Sequence, residues 1–134
     1  MLGRVSDDGS ALHRIRAICL GFPDVEEAVL QGRPLFRVGS RRFAIFNGDG
    51  SPTRARWAGA GRSLHVLTDP AERYALEQDP RFRRSPHHGD RGWLALRLDA
   101  GEVDWPEVAE LLESAYRQAA GRRRLARWDG QAAK

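Results

Sequence analysis

The chain has 134 residues, 41% of them hydrophobic and 30% charged, which is enough for one domain with a single core and too short for two. Its formal net charge of +4 favours an anionic partner. A single cysteine excludes an internal disulfide, and the lack of an apolar signal core or of an apolar run of about 18 residues predicts a soluble, cytoplasmic protein with no membrane partner.

The first predicted element is a helix. Residues 1–9 are polar and punctuated by glycine, which predicts a flexible N-terminus. Ser10 then fits a helix N-cap, and apolar side chains recur at helical spacing from Leu12 until Gly21 ends the helix. Cys19 lies on this apolar stripe, so we expect a small buried residue rather than a reactive thiol.

Three short strands follow, over residues 26–31, 34–38 and 41–47, and predict an antiparallel meander. Their alternation places Phe36 with Val38 on one face of the second strand. In the third strand it places Phe43 with Ile45. The meander leaves four arginines for solvent or for a ligand, namely Arg33, Arg37, Arg41 and Arg42.

Residues 47–61 are rich in Gly, Pro and small side chains and are too long for a tight hairpin, so they predict a mobile loop. Trp57 in this loop has arginines on both sides. It fits either an aromatic that stacks on a base or one that packs on the sheet.

A strand over residues 63–67 leads into a short helix. Asp69 fits its N-cap, Pro70 its first position and Glu72 the second half of a capping box, and Pro80 ends it.

The stretch 81–98 joins a basic, histidine-containing loop to a strand. Leu94, Leu96 and Leu98 alternate with Trp93, Ala95 and Arg97, which is typical of a half-buried strand.

The last helix begins at Asp104, whose partner in a second capping box is Glu107. Its apolar stripe predicts the main cover of the sheet and consists of Trp105, Val108, Leu112, Ala115 and Ala119. Four arginines follow, namely Arg122, Arg123, Arg124 and Arg127. Cations near the C-terminal end of a helix complement its dipole, and this explains them more simply than a nucleic acid does.

These elements predict an α+β fold with a single domain over residues 10–127, in which helices pack on an antiparallel sheet. Residues 128–134 are expected to form a flexible C-terminal tail.

A histidine pair is the one cluster that resembles a metal or acid–base site. His87 and His88 precede Asp90, but adjacent residues of an extended loop point in different directions and no cysteine accompanies them. A surface loop is therefore predicted, with no catalytic residue, no metal and no cofactor, and the chain is not expected to be an enzyme. An enzyme that uses these three residues stays an open alternative.

Five segments, in this order, resemble the MmcQ/YjbR family. They are Phe22-Pro23-Asp24-Val25-Glu26-Glu27, Gly32-Arg33-Pro34-Leu35-Phe36-Arg37-Val38, Arg42-Phe43-Ala44, Gly92-Trp93-Leu94-Ala95-Leu96 and Glu113-Ser114-Ala115-Tyr116. The resemblance implies an α+β domain of the class that also contains secretion chaperones. It also implies a double-wing arrangement described as DNA-binding from the fold alone, and it brings no catalytic residues.

Charge distribution leads to the functional hypothesis. Between residues 33 and 62 there are seven arginines and one acid, Asp49. A basic hairpin half of this kind is typical of low-specificity binding to a nucleic-acid backbone, and equally of solvated strand edges whose charge prevents aggregation. The expected phosphate ligands are Arg37, Arg41, Arg42, Arg83, Arg84 and Arg91, with Trp57 as a stacking residue. The alternative is a protein- or peptide-binding adaptor that uses a sheet face or an exposed edge, with no nucleic-acid role.

Overall fold

The computed structural model describes residues 2–30, 32–47, 62–84, 92–98 and 101–132. Its helices are α1 (Leu2–Leu20), α2 (Pro70–Glu77), α3 (Trp105–Ala120) and α4 (Arg122–Ala132). Its strands are β1 (Val25–Leu30), β2 (Arg33–Val38), β3 (Arg41–Asn47), β4 (Ser63–Leu67), β5 (Phe82–Arg84) and β6 (Trp93–Arg97). The strands form one antiparallel sheet in the order β1-β2-β3-β4-β6-β5. The predicted α+β fold and the predicted meander are confirmed.

The main core lies between the sheet and α3, which crosses β2, β3 and β4. Leu112 and Tyr116 of α3 are completely buried, as are Leu64 and Leu94 on the facing strands. Burial of apolar surface is the largest favourable term in folding. Helix α3 is therefore the main cover of the sheet, as its apolar stripe predicts.

Two of the three predicted N-caps form. The Asp69 carboxylate accepts a hydrogen bond from the Ala71 amide at 2.9 Å, and the Asp104 carboxylate accepts one from the Glu107 amide at 3.1 Å. Each carboxylate satisfies an amide that the first turn of a helix leaves without a backbone partner. Glu77 is the last residue of α2, so the helix ends before Pro80.

The start of the first helix differs from the sequence prediction. Helix α1 begins at Leu2, so Ser10 is an internal residue and not the N-cap. Extending an existing helix fixes one residue for each hydrogen bond gained, whereas starting a new one is costly, so a helix can run past a residue suited to capping. At the other end, α4 continues to Ala132, beyond the predicted domain end at residue 127.

The face assignment in β3 is wrong for one residue. Phe43 belongs to the main core, whereas Ile45 lies on the opposite face of the sheet with Leu35 and Trp93. The pairing of β2 with β3 shifts register next to Phe36. An inserted residue reverses the alternation of side chains along a strand, and alternation alone does not predict where that happens.

Strand β6 is buried on both faces rather than half-buried. Leu94 and Leu96 face the main core, and Trp93 and Ala95 are also buried. Part of the predicted loop 81–91 is likewise a strand, because β5 adds to the edge of β6. Pairing with β6 satisfies the backbone hydrogen-bonding groups of the three residues of β5. Their sequence, Phe-Arg-Arg, is too short to show the alternation that would predict a strand.

Candidate nucleic-acid interface

Two of the predicted ligands lie side by side at the turn between β2 and β3. Gly39 occupies this turn with a φ of 61°, a backbone conformation that favours glycine. Arg41 and Arg42 follow directly, and both are exposed. Within the described residues, neither arginine forms an ion pair or a hydrogen bond through its side chain. We call the segment from Gly39 to Arg42 the hairpin tip.

Arg37 lies directly opposite Arg42 in the register of β2 and β3. Its Nη2 atom is 3.2 Å from Oε1 of Glu26, and both side chains are substantially exposed, at 43% and 68%. Exposed ion pairs of this kind contribute little to stability, so Arg37 can exchange Glu26 for another anion at small cost.

Arg33 does not remain available to solvent or to a ligand. Only 2% of its surface is exposed, although the sequence predicts a surface position for it. It begins β2 on the same face as Leu35, and that face of the sheet is buried as well. A strand that is buried on both faces gives its polar residues no solvent side.

The other predicted pair lies at the far edge of the sheet. Arg83 and Arg84 are on β5, and β4 and β6 separate that strand from β3. Three inter-strand spacings place the strands of the two pairs about 14 Å apart. The Nε atom of Arg84 is 3.3 Å from Oε2 of Glu77, and Arg83 also has an interaction partner. The structure therefore places these four arginines in two separate pairs.

Several predicted positions lie outside the described residues. They are the predicted ligand Arg91, the predicted stacking residue Trp57, the cluster of His87, His88 and Asp90, and the predicted loop from residue 48 to residue 61. Within the described ranges, no three metal-ligating side chains come together.

The sequence misjudged a second group of arginines. Gly121, with a φ of 88°, separates α3 from α4, and α4 begins at Arg122. Arg122, Arg123 and Arg124 therefore occupy the first turn of a helix rather than the last. The positive end of the helix dipole lies there, so complementing the dipole does not explain these cations. A glycine that ends one helix just before another begins is the signal that could have shown this.

Asp24 connects these arginines to the sheet. Its Oδ2 atom is 2.9 Å from Nε of Arg124 and 3.7 Å from Nη2 of Arg127. Arg124 also donates from Nη1 to the carbonyl oxygen of Ala120 at 3.0 Å. Asp24 immediately precedes β1, and Val25 pairs with Val38, the residue before the hairpin tip. The start of α4 and the hairpin tip therefore lie at the same end of the sheet.

A buried serine and histidine form another pair that the sequence did not predict. Ser63 Oγ and His65 Nε2 are 3.0 Å apart on β4, and neither side chain is exposed to solvent. Buried polar groups normally occur as hydrogen-bonded pairs. Each side chain of this pair therefore satisfies a buried polar group of the other, and the burial of both keeps them out of contact with solvent.

Two shifted pKa values belong to groups outside the hairpin tip and α4. Burial raises the pKa of the Cys19 thiol, with a smaller contribution from the Glu27 carboxylate. Hydrogen bonds from Arg81 lower the pKa of Asp79, and Arg81 also contacts Glu107 on α3 at 2.7 Å. Both shifts stem from core burial or surface ion pairing, and neither indicates an acid–base centre.

Comparison with known proteins decides the family. The family model described as YjbR matches residues 20–118, which include the whole sheet and most of α3. The chain belongs to the YjbR family. Helix α4 lies beyond the range that matches the YjbR model. No curated protein matches this YjbR chain.

A solved structure shows the same fold. The Deinococcus radiodurans protein DR2400, whose domain is described as DUF419, has a TM-score of 0.62 and 22% sequence identity to this chain. The match covers 78% of this chain and 75% of that one. Among the described helices, none combines the length and the apolar character needed to cross a bilayer.

Proposed function

We propose that this YjbR protein binds the sugar–phosphate backbone of nucleic acids, with little sequence specificity and no catalysis, through the hairpin tip. The observation that carries this proposal is the exposure of Arg41 and Arg42 as adjacent cations without an acidic partner among the described residues. A guanidinium group binds phosphate through two parallel hydrogen bonds. Contacts to the backbone position a protein on nucleic acid without reading its sequence.

Neighbouring arginines support the same proposal. Arg37 lies opposite Arg42 and has only a solvent-exposed partner. Arg83 and Arg84 lie on β5, a strand about 14 Å from β3, and give a second contact to a ligand that runs across the sheet. Arg91 and Trp57 complete the proposed set on the strength of the sequence alone.

The salt dependence of binding tests the proposal. Fluorescence anisotropy of a labelled DNA duplex and a labelled single strand, titrated with protein at about 50 and 200 mM salt, gives the slope of log affinity against log salt. The double variant Arg41→Gln/Arg42→Gln is expected to make that slope shallower by about 1.8 for the duplex and about 1.4 for the single strand, because two phosphate contacts are lost. The matched control, Arg41→Lys/Arg42→Lys, keeps both charges and should keep most of the slope.

Two results would overturn the proposal. One is the absence of binding by the unmodified protein at about 50 mM salt, where phosphate contacts are strongest. The other is binding whose slope is the same in the glutamine and lysine variants. Peptide binding would then be the function to test, at the outer edge of β1. Among the described strands β1 pairs with β2 alone, and Val29 on it is 73% exposed.

A further inference from the structure

Helix α4 carries cations that the fold itself does not require. Arg122 and Arg123 are exposed and, within the described residues, their side chains have no ion pair or hydrogen bond. Arg127 is 69% exposed and contacts Asp24 only at 3.7 Å. The position of Arg122 and Arg123 in the first turn is electrostatically unfavourable for the helix. Residues that lower the stability of the helix or strand to which they belong are typical of functional surfaces.

Arg124 differs from these three. It is 29% exposed and binds both Asp24 and the carbonyl oxygen of Ala120. Trp128, one turn further along, packs on Phe22 and Tyr116 with ring centroids 5.8 Å and 5.4 Å apart. These contacts fix α4 against α3 and against the segment between α1 and β1, so the exposed arginines are held on a packed helix.

The fixed position of α4 brings its arginines close to the hairpin tip. Asp24 contacts α4 and directly precedes Val25, which pairs with Val38, and Val38 pairs with Arg41. Two inter-strand spacings, about 10 Å, therefore separate the strand of Asp24 from that of Arg41. This distance corresponds to about three nucleotides at a rise of 3.4 Å along one strand.

Two clefts run along this surface. One, of about 680 Å³, is lined by residues 120–124 together with Ala126 and Arg127. The other, of about 280 Å³, is lined by Pro23, Asp24, Arg124, Arg127 and Trp128. Arg124 and Arg127 line both clefts, so the two clefts lie next to each other between the first turns of α4 and the residue that precedes β1.

Building on the proposed nucleic-acid function, we infer that the phosphate-binding surface continues from the hairpin tip onto α4. Arg122, Arg123 and Arg127 are further phosphate ligands, and the Asp24 carboxylate competes with phosphate for Arg127. Asp24 thereby weakens binding, because its negative charge lies within one of the clefts that receive the backbone. Helix α4 thus extends the interface with residues beyond the part of the chain that matches the YjbR model.

Removing one negative charge at two different places tests this inference. Asp24 has a φ of 65°, and asparagine tolerates this backbone conformation well, so Asp24→Asn changes the charge with little strain. We expect Asp24→Asn to strengthen binding to the labelled single strand about threefold at low salt. The reason is that it removes the repulsion between the carboxylate and a phosphate about 7 Å away in water. The control is Glu102→Gln. Glu102 is exposed and lies just before α3. The 16 residues of α3 place it about 24 Å from the start of α4. Glu102→Gln makes the same charge change and should leave the affinity almost unaltered.

A second pair of variants keeps the inference testable if Asp24→Asn folds poorly. Arg123→Gln should make the salt slope shallower by about 0.7 for a single strand, because one phosphate contact is lost. Arg14→Gln removes the same charge from an exposed residue that packs over Trp105, at the other end of α3, and should not change the slope.

The outcomes separate this inference from the function on which it rests. If the unmodified protein binds no nucleic acid, both fail. Suppose instead that the protein binds nucleic acid and the hairpin variants weaken that binding. If Asp24→Asn then has the same affinity as Glu102→Gln, and Arg123→Gln the same salt slope as Arg14→Gln, the proposed function stands and the role of α4 is wrong. A stronger complex for Asp24→Asn alone, or a lower slope for Arg123→Gln alone, supports the inference.

Discussion

The Tyr116 hydroxyl on α3 donates a hydrogen bond to the backbone carbonyl oxygen of Pro23 at 2.9 Å, across 93 positions of the chain. This bond fixes the segment between α1 and β1 against the end of α3. The ring of Phe22 stacks on that of Tyr116 with centroids 4.8 Å apart, which holds the same segment from the apolar side. The position of Asp24, and with it the approach of α4, depends on this contact.

Replacing Tyr116 by Phe should therefore destabilise the protein. The ring packing is kept, but the Pro23 carbonyl loses its donor in a partly buried place, so we expect a loss of about 1–2 kcal/mol in the free energy of unfolding. Urea denaturation measures it. Tyr74→Phe is the matched control. Tyr74 is 74% exposed, so the loss of its hydroxyl group should change the free energy of unfolding by less than about 0.5 kcal/mol. Equal effects of the two substitutions would show that the hydrogen bond to Pro23 contributes nothing.

Burial of Cys19 should make stability fall at alkaline pH. Burial raises the pKa of its thiol in the folded protein, whereas the thiol of the unfolded chain ionises above a pH of about 8.5. The favourable contribution of the neutral thiol is therefore complete below that pH and is lost as the pH rises toward the folded pKa. Between about pH 7 and 10, the native protein should lose about 2 kcal/mol more than Cys19→Ala, as measured by urea denaturation. Parallel pH dependences for the two proteins would contradict this.

Gly92 should not tolerate a side chain. Its φ is 90°, a backbone conformation that residues with a side chain rarely adopt, and an added Cβ would also displace the guanidinium group of Arg73. Its carbonyl oxygen accepts a hydrogen bond from the Thr68 amide at 2.9 Å, so the backbone cannot turn away freely. Gly92→Ala should cost about 1–3 kcal/mol from the strained backbone.

Gly130→Ala is the matched control for this substitution. Gly130 lies inside α4 with nothing within 4 Å of an added Cβ, so alanine there should be neutral or stabilising by up to about 1 kcal/mol. Thermal unfolding of the two variants decides. A Gly92→Ala protein as stable as the native one would mean that this turn adopts another conformation.

Local patterns in the sequence were enough for most of the elements. Asp69 and Asp104 mark the starts of helices because their carboxylates suit the free amides of a first turn, whatever the rest of the chain does. The stripe of α3 and the alternation in β6 identify core positions for the same local reason. The YjbR resemblance, which rests on the order of short segments, is confirmed by the family match.

The tertiary structure decided what depends on contacts between distant residues. The register shift at Phe36 separates Phe43 from Ile45, and β5 exists because β6 offers it an edge. The same holds for the candidate interface. The sequence predicted that Arg41 and Arg42 are left for solvent or for a ligand, and both are exposed. It assigned Arg122, Arg123 and Arg124 to the C-terminal end of the preceding helix, whereas they form the first turn of α4. Their closeness to the hairpin tip follows from Asp24 and Tyr116, whose partners lie about a hundred residues away in the chain, and no local pattern encodes a contact over that distance.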